Sequence, residues 1–264
     1  MGKHLSKKDK NGIYLISAFL FVLMSLIAAS LLLRDPNRQY DPDTFCPDGE
    51  LNAHTIVLID VSDSFTETQK KAIHNFVKGI RGRLKRYEKL SIFTLINDNY
   101  IASIPKFSKC NPGSGKEANE LYQNPKKIQT KFDDFFKSPL TDILSNIVKG
   151  AGAERSPILE MIHDLSLRED FSFNIKERKL FLVSDMLQHM KQYSHYRRNS
   201  MDYGEFKKTK YSQGVTANLT NVSARILYIW RPELGALQNN RHILFWENYF
   251  RDMGATIEEI RKAR

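Results

Sequence analysis

The chain has 264 residues, of which 41% are hydrophobic and 27% are charged, enough for one good-sized domain with an appendage. Its net charge of +10 favours acidic partners or anionic surfaces. No basic motif interleaved with aromatic residues accompanies that charge, so nucleic acid is not an expected partner.

The first predicted element is an apolar helix. Residues 12–33 carry no charged side chain and are long enough to cross the hydrocarbon core of a membrane. A cleaved signal peptide is the alternative, because Ala28-Ala29-Ser30 offers small residues near its end. The apolar run continues past that point to Leu33, which favours an uncleaved transmembrane anchor.

Charge around this helix predicts its orientation. Residues 1–11 form a basic leader, with Lys3, Lys7, Lys8 and Lys10 against Asp9. The positive-inside rule places this leader in the cytoplasm and the rest of the chain outside. We therefore predict a single-pass protein of a bacterial inner membrane with its C-terminal domain in the periplasm. Residues 34–51, rich in Pro and Asp, are predicted to be a linker to a domain at 52–264.

The domain begins with a strand that ends in oxygen-bearing side chains. Residues 55–59 are mostly aliphatic and predict a buried parallel strand, which Asp60-Val61-Ser62-Asp63-Ser64 ends. A helix is predicted over 65–86. In an open α/β sheet, ligands bind at the carboxyl ends of the strands. Carboxylate and hydroxyl oxygens suit Mg²⁺, Mn²⁺ or Ca²⁺ better than zinc.

The remaining pattern alternates strands and helices. Strands are predicted at 90–96, 100–104, 178–186, 224–230 and 255–257, and helices at 125–136, 140–148, 158–165 and 237–253. Residues 108–124, 150–157 and 188–213 are predicted to be loops. Gly113-Ser114-Gly115-Lys116 lacks the spacing of a phosphate-binding loop and follows no aliphatic strand. His189 and His195 have no partner at zinc-ligand spacing, which favours a solvated loop.

Asp60-x-Ser62-x-Ser64 resembles the metal-ion-dependent adhesion site of von Willebrand factor A-type (vWA) domains. The resemblance implies a doubly wound α/β fold with a mostly parallel sheet and one antiparallel edge strand. It also implies a hydroxyl on a later loop, matched by Ser156, and an aspartate after a later strand, matched by Asp185. The alternatives are that Ser156 is a helix N-cap and Asp185 caps a turn.

The resemblance further implies that Mg²⁺ (or Mn²⁺ or Ca²⁺) is held by Ser62, Ser64 and Ser156. Asp60 and Asp185 would bind it directly or through water, and an acidic residue of a protein partner would complete the coordination. Three functions stay open: a metal-dependent binding module, a metal-free structural scaffold in an envelope assembly, and a metal-assisted hydrolase. Asp60-x-Ser62 is not the Asp-x-Asp of phosphoaspartate enzymes, so we expect no enzyme activity.

Cys46 and Cys110 both follow the predicted anchor. Cys46 precedes the first strand, and Cys110 follows a predicted hairpin that returns to the same end of the sheet. In an oxidising compartment the two could pair at the edge opposite the metal site. Two free thiols are the alternative.

Overall fold

The computed structural model describes residues 7–33, 40–95, 104–118, 123–150 and 152–264. The chain divides into two compact units, Met1–Gln39 and Tyr40–Arg264. In the first, α1 is a helix over Lys7–Leu33, and its stretch Gly12–Ala29, with a mean hydropathy of 2.4, is long and apolar enough to cross a membrane. The predicted N-terminal apolar helix is confirmed.

The second unit is built on one six-stranded sheet with the strand order β3-β2-β1-β4-β5-β6. All pairings are parallel except that of β2 with β3. The strands are β1 (Ala53–Asp60), β2 (Lys89–Leu95), β3 (Phe107–Cys110), β4 (Glu177–Ser184), β5 (Val222–Ile229) and β6 (Thr256–Ala263). This confirms the α/β class and the mostly parallel sheet with one antiparallel edge.

Helices cover both faces of the sheet. They are α2 (Glu67–Arg81), α3 (Pro125–Phe132), α4 (Ser138–Ile147), α5 (Ile158–Ser166), α6 (Tyr203–Lys207), α7 (Lys210–Gly214) and α8 (Asn240–Asp252), with a π-helical turn at Asp133–Lys137 between α3 and α4. A hydrophobic core lies on each face of the sheet, and alternate residues of β1 point into the two cores. Ile56 and Leu58 pack with α5 and α8, whereas Val57 and Ile59 pack with α2 and α4. Burial on both faces explains why β1 is an aliphatic run and not an alternating one.

The antiparallel edge strand differs from its predicted position. β3 spans Phe107–Cys110, although residues 108–110 were predicted to belong to a loop. That part of the loop prediction is wrong. Four residues are too few to show an alternating pattern, but Phe107 and Cys110 are both buried. Of the strand predicted at 100–104, residues 100–103 lie outside the described residues, and Ile104 is exposed and in no strand.

Two other elements have different bounds from those predicted. α2 ends at Arg81 and not near residue 86, since Gly82 is its C-cap. β6 is eight residues long, whereas a short strand at 255–257 was expected. Its run of exposed charged residues hides the apolar signal, and such charge protects an edge strand from pairing with another chain.

The amino end of the sheet is closed by a disulfide between Cys46 and Cys110, whose Cα atoms are 4.8 Å apart. Cys110 lies opposite Lys89, the first residue of β2, and its N–H donates to Thr44 O. Phe45 is buried in the same region. Residues 40–46, predicted to be linker, therefore pack against the folded domain.

Candidate functional site

Asp60 is the last residue of β1 and lies at the carboxyl edge of the sheet. β1 pairs with β2 on one side and β4 on the other, so this edge is where the strand order reverses direction and ligands bind in open α/β sheets. Ile59 is paired with Val183, so the next residues of the two strands, Asp60 in β1 and Ser184 in β4, lie side by side. Parallel pairing thus places the ends of two distant strands side by side.

The Asp60 carboxylate is buried and accepts three hydrogen bonds. Its Oδ1 accepts the Ser62 N–H at 3.0 Å, and its Oδ2 accepts the hydroxyls of Ser156 and Ser184, each at 2.8 Å. Ser156 is 96 residues from Asp60 in the sequence, and Ser184 is 124 away. These contacts gather the ends of β1 and β4 and the segment before α5 around one carboxylate.

Ser62 and Ser64 lie on the loop between β1 and α2. Ser62 is half-buried and Ser64 is exposed. The loop is fixed by its backbone, because Ser62 O accepts the Ala153 N–H at 2.9 Å and Ser64 O accepts Arg231 Nη1 at 2.5 Å. α2 then starts with Thr66 as its N-cap.

Ser156 does not cap α5, since Pro157 is the N-cap residue. Its backbone instead forms a two-bond bridge with His189, with N–H to O distances of 3.0 and 2.9 Å in the two directions. Its hydroxyl donates to Asp60, which leaves the lone pairs of the oxygen for another contact. The N-cap interpretation of Ser156 is therefore wrong.

Asp185 directly follows β4 and is 5% exposed. Its Oδ1 accepts the Leu187 N–H at 2.9 Å, and its Oδ2 is 3.9 Å from Arg231 Nε. Burial, and then the nearby Asp60 carboxylate, raise the pKa of Asp185 to about 8. Two buried carboxyl groups thus lie at this edge and influence each other electrostatically.

Three residues that were not predicted from the sequence support the site. Ser184 accepts the Met186 N–H while donating to Asp60, and Arg231 supplies a buried guanidinium beside Asp185. Gln238 Nε2 donates to Asp185 O at 3.1 Å, and its Oε1 accepts the Arg231 N–H at 2.7 Å. Their place in the sequence could have identified two of them, because Ser184 and Arg231 lie where aliphatic strands end.

The segment 188–213 is not a simple solvated loop. It contains α6 and α7, and its His195 has no exposed surface. Burial lowers the pKa of His195 well below its usual value, so the ring is neutral at pH 7. The expectation of a solvated His195 is wrong, since Tyr193, Phe245 and Trp246 enclose the ring, whereas His189 is exposed.

Tyr196 of this segment lies beside the carboxylates. Burial, and then Asp185, Asp63 and Asp60, raise the pKa of Tyr196 to about 12. The ring is also 5.0 Å from that of His189, whose backbone holds Ser156. Through Tyr196, the 188–213 segment therefore approaches the acidic site.

The donor set fits a hard divalent cation. Serine hydroxyls and two buried carboxyl groups supply oxygen atoms, the ligands that hard divalent cations prefer. Within the described ranges, no cluster of three or more His, Cys, Asp or Glu side chains could hold a metal. Any ion at this edge would therefore depend on the serine hydroxyls.

No protein-family model matches the chain, and no curated protein matches its sequence. Among solved structures, the conserved hypothetical protein BatB from Bacteroides thetaiotaomicron is 9% identical, with a TM-score of 0.42, over 80% of this chain and 91% of that one. An aerotolerance-related membrane protein from Bacteroides fragilis NCTC 9343 is 9% identical, with a TM-score of 0.30, over 66% of each chain. These similarities concern the fold alone.

Proposed function

We propose that this protein is a membrane-anchored, extracytoplasmic vWA-like module that binds a protein partner through a divalent metal ion. Asp60, Ser62, Ser64, Ser156 and Asp185 would hold Mg²⁺, Mn²⁺ or Ca²⁺, and an acidic residue of the partner would complete the coordination. The observation that carries the proposal is the hydrogen bond from Ser156 to Asp60 at 2.8 Å, which joins two of the five residues across the fold.

The roles of the residues follow from their contacts. Asp60 accepts a hydrogen bond from the Ser156 hydroxyl, which fixes the orientation of that oxygen. Residues that orient metal ligands through hydrogen bonds strengthen metal binding. Asp185, whose pKa is raised to about 8 by burial and by Asp60, would become ionised when a cation binds beside it. A bound cation would lower the pKa of Asp185, because it favours the ionised carboxylate.

An extracytoplasmic domain is supported by the Cys46–Cys110 disulfide, because disulfides persist in oxidising compartments. The basic residues 1–11 support the same orientation. In a bacterial inner membrane, this orientation would place the domain in the periplasm. A reporter enzyme that is active only outside the cytoplasm, fused after Arg264, is expected to be active. A cytoplasmically active reporter at the same position is expected to be silent, and the reverse pattern would contradict the orientation.

Titration calorimetry of the full-length protein in detergent micelles tests the metal site. We expect Mg²⁺ or Mn²⁺ to give binding heat that Asp60→Ala abolishes, because that change removes the acceptor of three hydrogen bonds. Asp142→Ala, on the exposed face of α4, is the matched control and should titrate like the unaltered protein. Equal heats for Asp60→Ala and Asp142→Ala would contradict the metal site.

A metal-free scaffold is the second candidate, and Arg231 is the observation that favours it. Its guanidinium lies 3.9 Å from Asp185 and donates to Ser64 O, so it already places positive charge beside the acidic pair. If Arg231 only competes with a cation, Arg231→Gln should lower the Kd for Mg²⁺ about tenfold, a change of about 1.4 kcal/mol. If Arg231 replaces the cation, no metal will bind until it is removed.

A further inference from the structure

A cleft of about 920 Å³ lies between residues 195–205 and α8, next to the acidic site. Its lining includes Arg197 and Arg198 from the first wall and Arg241, Leu244 and Phe245 from α8. Tyr196 lines this cleft, and its ring lies 5.0 Å from that of His189, whose backbone forms two hydrogen bonds with Ser156. The cleft is therefore close to the segment that carries Ser156 of the candidate metal site.

The cleft has an excess of positive charge. Arg197, Arg198 and Arg241 are exposed, and within the described part of the chain none of them forms an ion pair. Arg197 is held by the neutral carbonyls of Lys191 and Gln192, which fix its position without cancelling its charge. These guanidinium groups are available to carboxylates of a ligand.

The acidic residues that line the same cleft are already engaged. Glu205 pairs with Lys208 at 2.6 Å, and Asp202 Oδ1 caps α6 by accepting the Glu205 N–H at 3.0 Å. Their negative charge is therefore partly compensated within α6 and its cap. What remains toward the opening of the cleft is the charge of the three arginines.

The inner wall is apolar, with one polar exception. Phe245 is buried at its base and Leu244 is 54% exposed at its side. His195 also lines this wall, and within the described residues neither of its ring nitrogens has a hydrogen-bond partner. The neighbouring Met186 carbonyl is already bonded by His242 and Trp246 at 2.8 Å each. The His195 ring has no exposed surface, so an entering segment would contact the apolar part of this wall, where Leu244 is exposed.

We propose that this cleft binds an acidic segment of the partner that carries an apolar side chain, so that the partner is held at the metal ion and at the arginines together. This inference rests on the proposed function for the identity of the partner. The volume is much larger than one small anion needs, and the apolar wall would be left bare by such an anion. Charge complementarity would mainly speed and orient association.

The test is fluorescence anisotropy of the full-length protein in detergent micelles with a labelled 12-residue peptide of Glu, Gly and one central Phe. In EDTA, where only the cleft contributes, we expect saturable binding that weakens at high salt. The triple variant Arg197→Gln, Arg198→Gln, Arg241→Gln should raise the Kd at least tenfold. The matched control, Lys78→Gln, Lys126→Gln, Lys127→Gln, removes the same charge from exposed positions on α2 and α3 and should stay within twofold.

Several outcomes would overturn the inference: no binding of the peptide, equal loss in both triple variants, or equal binding of a peptide with Gln in place of Glu. Arginine-dependent binding to phosphatidylglycerol vesicles without arginine-dependent peptide binding would also overturn it, in favour of a lipid ligand. Metal calorimetry on the same variants separates the two proposals. Peptide binding without metal binding heat would support the cleft proposal and contradict the metal site. Metal binding heat without peptide binding would support the metal site and contradict the cleft proposal.

Discussion

At the amino end of the central strands, a buried carboxylate is fully matched, whereas at the carboxyl end two buried carboxylates are not. Glu88 accepts Lys179 Nζ at 2.9 Å, the Thr55 hydroxyl at 2.7 Å and the Lys85 N–H at 3.0 Å. Asp60 and Asp185 have hydroxyl and amide donors, and their nearest described cation is Arg231, 3.9 Å from Asp185. Buried charge stabilises a fold only when it is well paired.

We expect the two ends of the sheet to have different roles, stability at the amino end and binding at the carboxyl end. The amino end has the disulfide, the Glu88 contacts and the ion pair of Lys89 with Asp170 at 2.7 Å, which together fix the strand ends. At the carboxyl end, burial and Asp60 make ionisation of Asp185 unfavourable, and a bound cation would offset that cost. Changes at the amino end should therefore alter unfolding, and changes at the carboxyl end should alter metal binding and pH dependence.

The largest expected effect comes from the disulfide. Cys46→Ser with Cys110→Ser opens a loop whose ends are 64 residues apart in the sequence, and the loop-closure entropy predicts a loss of about 4 kcal/mol in the free energy of unfolding. Urea unfolding followed by the fluorescence of Trp230 and Trp246 measures it. The Kd for Mg²⁺ should not change in the fraction that remains folded. A shift in that Kd would contradict the separate roles of the two ends of the sheet.

Glu88→Ala should cost about 3 kcal/mol of unfolding free energy, because it leaves Thr55 and Lys179 without their shared acceptor. The same urea titration measures this loss. Glu247→Ala, on an exposed position of α8, is the control and should lie within about 0.5 kcal/mol of the unaltered protein. Equal stability of the two variants would show that the amino-end pairing contributes little.

Asp185→Asn should change the pH dependence of stability in EDTA. The pKa of Asp185 is raised in the folded state to about 8 from 3.8, so its contribution is fully present below pH 4 and is lost as the pH rises through 8. The unaltered protein should therefore lose unfolding free energy between pH 5 and pH 8, and Asp185→Asn should lose clearly less. Asp142→Asn, as control, should keep the slope of the unaltered protein. A slope that survives in Asp185→Asn would place the titrating group elsewhere.

The smallest expected effect on stability is that of Ser184→Ala. Asp60 keeps the Ser156 hydroxyl and the Ser62 amide, so the loss should be about 1 kcal/mol. The Kd for Mg²⁺ should nevertheless rise about tenfold, because Ser184 orients the carboxylate that orients Ser156. Ser145→Ala, whose hydroxyl bonds a carbonyl within α4, should change neither value by as much. A large stability loss without a change in Kd would make Ser184 a purely structural residue.

Some features could be predicted because local chemistry is enough to fix them. The apolar length of α1, the aliphatic runs of β1 and β4, and the motif Asp60-x-Ser62-x-Ser64 are visible in short windows of sequence. Parallel strands place their carboxyl ends at one edge, so the nearness of Asp60 and the residues after β4 also follows from the strand assignments. The four-residue β3 was missed because its pairing with β2, and not its own composition, makes it a strand.

Other features required the tertiary structure. The sequence by itself determined an apolar N-terminal helix, an α/β domain and a set of oxygen-bearing residues at strand ends. Only the folded chain decided that Ser184 donates to Asp60, that Arg231 reaches Ser64 and Asp185, and that the segment after β4 buries His195 beside a basic cleft. The physical reason is that strand patterns depend on neighbouring residues. The charge balance of a buried site depends on side chains brought together from positions far apart in the chain.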